Sequence, residues 1–333
     1  MAGMDAAGAT GAGSGGQRAG SSGAAGSGSG STGAAAGSFG SRLAGAMDRL
    51  GPLCVGIDPH ASLLDAWGLE DSVEGLRRFS LTVANTLAGQ VAAIKPQVSF
   101  FERHGSQGMA VLEEVSAVVR GSGSMLITDA KRGDIGSTNQ GYADAYLREG
   151  SPLACDAVTI SPYLGFGSLE PMISAARASG RGVFVLCLTS NPQGAALQHA
   201  VMADGRSVAA SIAQQASVLN AAEISQAGSP PRGSSVGAGS VSMGSVGLVV
   251  GATIGRGAVD SGTNLEAVAG PLLAPGVGAQ GGGPAELRQV FGAARSQVLA
   301  STSRAVLAAG PQAQDIADAA HRAIDQAASA LRP

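Results

Sequence analysis

The chain has 333 residues, 44% of them hydrophobic and 14% charged, with a net charge of −3. No basic excess points to nucleic acid, no apolar run of about 18 residues points to a membrane span, and 3% aromatic residues are too few for base-stacking platforms. The apolar fraction suffices for a large core, and the length suits one (β/α)8 barrel of roughly 250 residues with appendages.

Residues 1–37 are nearly all Gly, Ala and Ser, with Arg18 the only arginine. Such a segment cannot bury enough apolar surface to offset the entropy of ordering, so a disordered tail is expected. It has neither the charged n-region nor the apolar h-region of a secretory signal, and a cytoplasmic location is expected. From 38 to 333, short β-rich runs alternate with helical periodicity, which predicts a single barrel domain. The strand candidates are 53–58, 92–97, 125–131, 157–162, 182–190, 247–253, 272–278 and 297–303, the eight that a closed barrel requires. A Gly/Ser-rich stretch at 225–245, SQAGSPPRGSSVGAGSVSMGS, interrupts this pattern without ending it and reads as a flexible insertion. Cys54, Cys155 and Cys187 are odd in number, widely spaced and set in apolar runs, which predicts buried thiols in a reducing compartment. The four histidines, His60, His104, His199 and His321, show no metal-ligand spacing, and no metal site is expected.

Several of these runs begin apolar and end polar. CVGID ends on Asp58, VAAIKP carries Lys95, MLITDAK brings Asp129 and Lys131, and VLCLTS ends on Thr189 and Ser190. In a barrel such C-terminal strand ends converge on one face, where active sites sit. The densest cluster is ITDAKRGDIGST, 127–138. Asp129 and Lys131 stand two apart on a strand, so their side chains are expected to leave the same face. Asp134 follows on the loop at a candidate helix N-cap, with Thr138 beyond it. Lys95, Lys131, Asp129 and Asp134 together make two cations and two anions, and buried charges persist only when paired. Such a convergent network points to catalysis rather than bracing. Later, LLAPGVGAQGGG, 272–283, runs from a strand into a Gly-rich turn and a helix, a place that suits a phosphate. Gln280 adds a side-chain donor. Arg304, after the last strand, is the candidate phosphate arginine, and Arg256 competes with it.

These segments resemble orotidine 5′-phosphate decarboxylase. The resemblance rests on DAKRGDIGST (129–138), GIDPH (56–60), AAIKPQ (92–97), LTSNPQG (188–194) and APGVGAQGG (274–282), in order and at barrel spacing from about Phe39 to the last helix. It implies a cofactor-independent barrel enzyme that converts orotidine 5′-monophosphate to UMP and CO₂, the last step of UMP synthesis. Lys131 would donate the proton to C6 of the pyrimidine, beside Asp129, with Lys95 and Asp134 completing the charged network. Asp58 and Lys95 would meet the ribose hydroxyls, and Ser190 the pyrimidine. Gly278, Gln280, Gly281 and Arg304 would hold the 5′-phosphate. Asp134 and Thr138 would reach into a neighbouring subunit's site, which implies a homodimer. One departure is Ser303-Arg304, where many members have Gly-Arg. The nearest alternative is a magnesium-dependent hexulose-phosphate synthase or ketogulonate-phosphate decarboxylase, which shares the Asp-x-Lys-x-x-Asp motif. The lysine of IKPQ and the SNPQG loop weigh against it.

Overall fold

The structure is a computed structural model that describes residues 37–227, 242–278 and 281–332. The expected tail, apart from Gly37, therefore lies outside the described residues, as do 228–241 of the expected insertion and the phosphate-loop residue Gln280.

The β-rich runs form eight strands: β1 (Leu53–Ile57), β2 (Ala93–Pro96), β3 (Met125–Arg132), β4 (Ala157–Ile160), β5 (Gly182–Leu188), β6 (Val246–Val250), β7 (Leu272–Pro275) and β8 (Val298–Thr302). Each pairs in parallel with the next, and β8 pairs with β1, closing the barrel. The strands are buried on both sides, as parallel strands covered by helices must be. Their alternation sorts the side chains. Cys54, Ala93, Ile127, Ala157, Phe184 and Leu299 belong to one packed cluster, while Val55, Ile94, Leu126 and Val158 join the larger cluster shared with the helices. The smaller, inward set is continued at the C-terminal ends by Lys95 and Asp129, which keep the same parity.

The helix Phe39–Leu50 packs under the N-terminal ends of the strands. Ser38 caps it by accepting from the Ser41 N–H at 3.2 Å. Phe39 meets Phe184 edge-on at 5.9 Å, and Arg42 bonds Asp156 and the Gly180 carbonyl, both at 2.8 Å. The Ser38 hydroxyl also donates to the Met243 carbonyl at 2.9 Å. The expected insertion is therefore narrower than 225–245. Ser225 to Ala227 finish the helix Val208–Ala227, and Met243 and Ser245 are buried parts of the fold.

One connection departs from the regular alternation. Between β6 and β7 stand only the short helix Gly257–Asp260 and the 3₁₀ turn Glu266–Val268. The helix Val208–Ala227 covers the gap, and its buried Asn220 takes over the backbone pairing. The Asn220 amide donates to the carbonyls of Val246 and Val268 at 2.8 and 2.9 Å and accepts from the Val246 N–H at 3.0 Å.

Candidate active site

At the C-terminal end of the barrel, β2 and β3 bring Lys95, Asp129 and Lys131 together. Asp129 Oδ2 accepts from the Lys95 ammonium at 2.9 Å and from the Gln97 amide at 3.1 Å. Asp129 Oδ1 accepts from the Lys131 ammonium at 2.6 Å and from the Thr159 hydroxyl at 2.8 Å. Four donors thus meet the roughly four lone-pair positions of an ionised carboxylate. Burial alone would push the Asp129 carboxyl up. Lys95 and then Lys131 outweigh burial and hold it well below the usual carboxylate range. Burial likewise opposes the Lys95 charge, but Asp129 and Asp58 outweigh it and hold that ammonium above the usual lysine value. Lys95 is nearly enclosed, whereas the Lys131 side chain is 44% exposed.

The meeting of Asp129 and Lys131 was expected from strand alternation, and the structure gives a different reason for it. The β3–β4 register shifts between Thr128 and Arg132, so that Asp129, Ala130 and Lys131 stand opposite Thr159 alone. Lys131 has φ +47°, a left-handed backbone rare outside glycine. The bulge, rather than the pleat, folds the Lys131 ammonium back onto Asp129.

Asp134 does not join this network within the chain. Its carboxylate accepts from the Ile135 N–H at 2.8 Å, and the N-cap of the helix Gly136–Tyr146 is Ile135 rather than Asp134. Thr138 is exposed in the first turn of that helix. Just before Asp134 the chain passes close to the segment that follows β4, where a Cβ on Gly133 would clash with the Ser161 carbonyl.

Beside the triad lies a cleft lined by Asp58, Lys95, Val277, Thr302, Ser303 and Arg304, among others. The Ser303 hydroxyl donates to Asp58 Oδ2 at 2.6 Å. Asp58 Oδ1 and the Thr302 hydroxyl are buried without a partner among the described residues. Arg304 is exposed at the rim of this cleft. Arg256 lies elsewhere, 70% exposed and 3.4 Å from Asp260 on its own short helix. Ser190 is exposed just beyond β5, where Gln198 holds the preceding Thr189 through its N–H (2.9 Å) and its hydroxyl (2.7 Å).

In the Gly-rich turn after β7, the N–H groups of Gly278 and Gly281 are engaged within the turn. Gly278 and Gly281 have φ of +81° and +90°, conformations that favour glycine. The Gly278 N–H donates to the Gly282 carbonyl at 2.7 Å, and the Gly281 N–H to the Gly278 carbonyl at 2.9 Å. The following helix, Pro284–Phe291, starts with a proline that has no N–H, and Glu286 already accepts from the Gly283 N–H at 2.9 Å.

Sequence reasoning passed over Thr159, Gln97 as a ligand of Asp129, and the partnership of Ser303 with Asp58. Among the described residues, no three His, Cys, Asp or Glu side chains stand together as a metal-binding group.

The profile of the orotidine 5′-phosphate decarboxylase / HUMPS family matches residues 51–319. The chain belongs to that family. An orotidine 5′-phosphate decarboxylase of Salinispora tropica is 53% identical over 291 residues, covering 87% of this chain and 97% of the relative. That of Streptomyces coelicolor is 52% identical over 283 residues, covering 85% and 94%. A crystal structure from Streptomyces avermitilis, which carries the same decarboxylase name provisionally, superposes with a TM-score of 0.81 at 51% identity, covering 91% of this chain and 99% of that one. That structure shares the barrel seen here.

Proposed function

We propose that the protein is a carboxy-lyase that converts orotidine 5′-monophosphate to UMP and CO₂. The observation that carries this reading is the ionised Asp129, saturated with donors and flanked by two ammonium groups, one of which, that of Lys95, lines a cleft with Asp58 and Arg304. The substrate lies with its ribose hydroxyls toward Asp58 Oδ1 and Lys95, and its pyrimidine toward Lys131 and Ser190. Its phosphate lies toward Arg304, Gln280 and the Gly278–Gly281 turn.

The C6–carboxylate bond breaks, CO₂ leaves, and the electron pair stays on C6. Lys131 then delivers its proton to C6, and its exposure lets solvent restore that proton. Two carboxylates about 4 Å apart repel by about 4 kcal/mol at an effective dielectric of about 20. At about 1.4 kcal/mol per tenfold this is about a thousandfold in rate, far short of the roughly 10⁶- to 10¹⁷-fold that enzymes reach. The four donors on Asp129 lessen that repulsion further. The larger effect is the Lys131 ammonium, fixed in advance where negative charge develops on C6. Asp129 serves chiefly to hold it there.

Asp134 and Thr138 serve a second copy of the chain. The Asp134 carboxylate bonds the Ile135 N–H rather than its own triad, and large apolar side chains are exposed nearby on the same end of the barrel, with Ile135 at 62%, Tyr163 at 75% and Leu164 at 53%. Their burial in a homodimer would stabilise it and carry each Asp134 toward the partner's Lys131. A cytoplasmic location accords with three unpaired, buried cysteines.

Purified protein is expected to consume orotidine 5′-monophosphate, read as loss of its ultraviolet absorbance, at the same rate with and without EDTA. Loss of activity in EDTA would favour the magnesium-dependent branch of the family, and no consumption would remove the reading.

A further inference from the structure

Thr159 lies in the middle of β4 and is 1% exposed. Its place in the strand alternation, two residues after Ala157, puts its side chain on the inward face. Its hydroxyl makes two hydrogen bonds of different sense. It donates to Asp129 Oδ1 at 2.8 Å and accepts from the Lys131 N–H at 3.0 Å.

The second bond answers a problem set by the bulge. Three residues of β3 stand opposite one of β4, so the regular ladder offers the Lys131 N–H no carbonyl. An unpaired N–H at this depth is unfavourable, and Lys131 also holds a backbone conformation that residues with a side chain rarely adopt. The Thr159 hydroxyl supplies the missing acceptor. Because the same oxygen donates its own hydrogen to Asp129, the carboxylate and the main chain of Lys131 are fixed relative to each other through one atom.

We propose that Thr159 is a positioning residue of the reaction, holding the bulge that aims the Lys131 ammonium and orienting the Asp129 carboxylate against which that ammonium rests. The inference rests on the decarboxylase reading for its kinetic consequence, but not for its geometry. Neither Gln97 nor Lys95 can take over the task, because both bond the other carboxylate oxygen, Oδ2. Thr159 touches no reacting atom, and its effect passes through Lys131 and Asp129.

Thr159→Val keeps the shape and removes the hydroxyl, while Thr159→Ser keeps the hydroxyl and removes a methyl. Misplacement of a reacting group by about 1 Å costs about a hundredfold in rate. Thr159→Val is therefore expected to lower kcat by about that factor with little change in KM or in UMP affinity. Thr159→Ser should recover most of the loss. A residue that served only to fill space would show the reverse order, with Val tolerated better than Ser. Amide hydrogen exchange at Lys131 gives a reading that needs no turnover, with protection lost in Thr159→Val and kept in Thr159→Ser. If Thr159→Val loses protection at Lys131 while the wild type does not turn over substrate, the decarboxylase reading falls and the hold on Lys131 stands. Unchanged kcat in Thr159→Val, or unchanged protection of the Lys131 amide, would overturn the inference.

Discussion

Arg304 and Arg256 both follow strands, and the sequence favours Arg304 for its place after the last strand, with Arg256 as a competitor. Their surroundings separate them further. Arg304 shares a cleft with Asp58 and Lys95, whereas Arg256 is drawn to Asp260 on its own helix. Arg304→Ala is expected to raise KM for orotidine 5′-monophosphate by at least about tenfold, in keeping with loss of a charge-assisted contact of about 1.5–3 kcal/mol, and Arg256→Ala to leave it unchanged. Steady-state kinetics of the two variants decides between them, and the opposite ranking would move the phosphate. Lys95, Asp129 and Lys131 were legible in the sequence because a charge at the end of an apolar strand is chemically conspicuous. Thr159 was not, since a threonine in a strand is accounted for by β-propensity alone. Ser303 was noticed only as a departure from a familiar pattern. Its hydroxyl proves to bond Asp58 across the closure of the barrel, 245 residues away in the chain.

Strands and helices have a second kind of legibility. All eight strands lie within or beside the predicted runs, because their burial on both faces leaves a continuous apolar signature that is local to each run. What was hidden depends on pairing between elements. The bulge opposite Thr159 exists only once β3 meets β4, so Asp129 and Lys131 came together for a reason that spacing did not contain. The β6–β7 connection is similar. Its sequence does not announce that a full helix is missing or that Asn220, from the helix before, fills in for it. Asn220→Ala would leave the Val246 N–H and the carbonyls of Val246 and Val268 buried without this partner. The expected cost is about 3 kcal/mol, read as a lower denaturant midpoint at unchanged slope. A shift worth less than about 1 kcal/mol would show that these groups find other partners.

Across the whole molecule, the single chain holds two cations and one anion of the expected four-charge network. The fourth member, Asp134, bonds the neighbouring Ile135 N–H instead, near exposed apolar side chains. A shared site makes a sharp prediction. Lys131→Ala and Asp134→Ala should each be inactive alone, but hybrid dimers would contain one intact site. Random reassortment of an equal mixture should restore about a quarter of wild-type activity, since about half the dimers are hybrids with one working site of two. No recovery after demonstrated subunit exchange would confine Asp134 to its own chain. The barrel's organisation also makes the chemistry separable from the fold. Lys131 is partly exposed at the rim, whereas stability resides in the closed sheet and the packed helices around it. The most direct measurement is therefore the turnover of orotidine 5′-monophosphate by Lys131→Ala, alongside its UMP binding and unfolding midpoint. The proton-donor role predicts a folded, UMP-binding protein with no measurable decarboxylation. Activity near that of the wild type would contradict it.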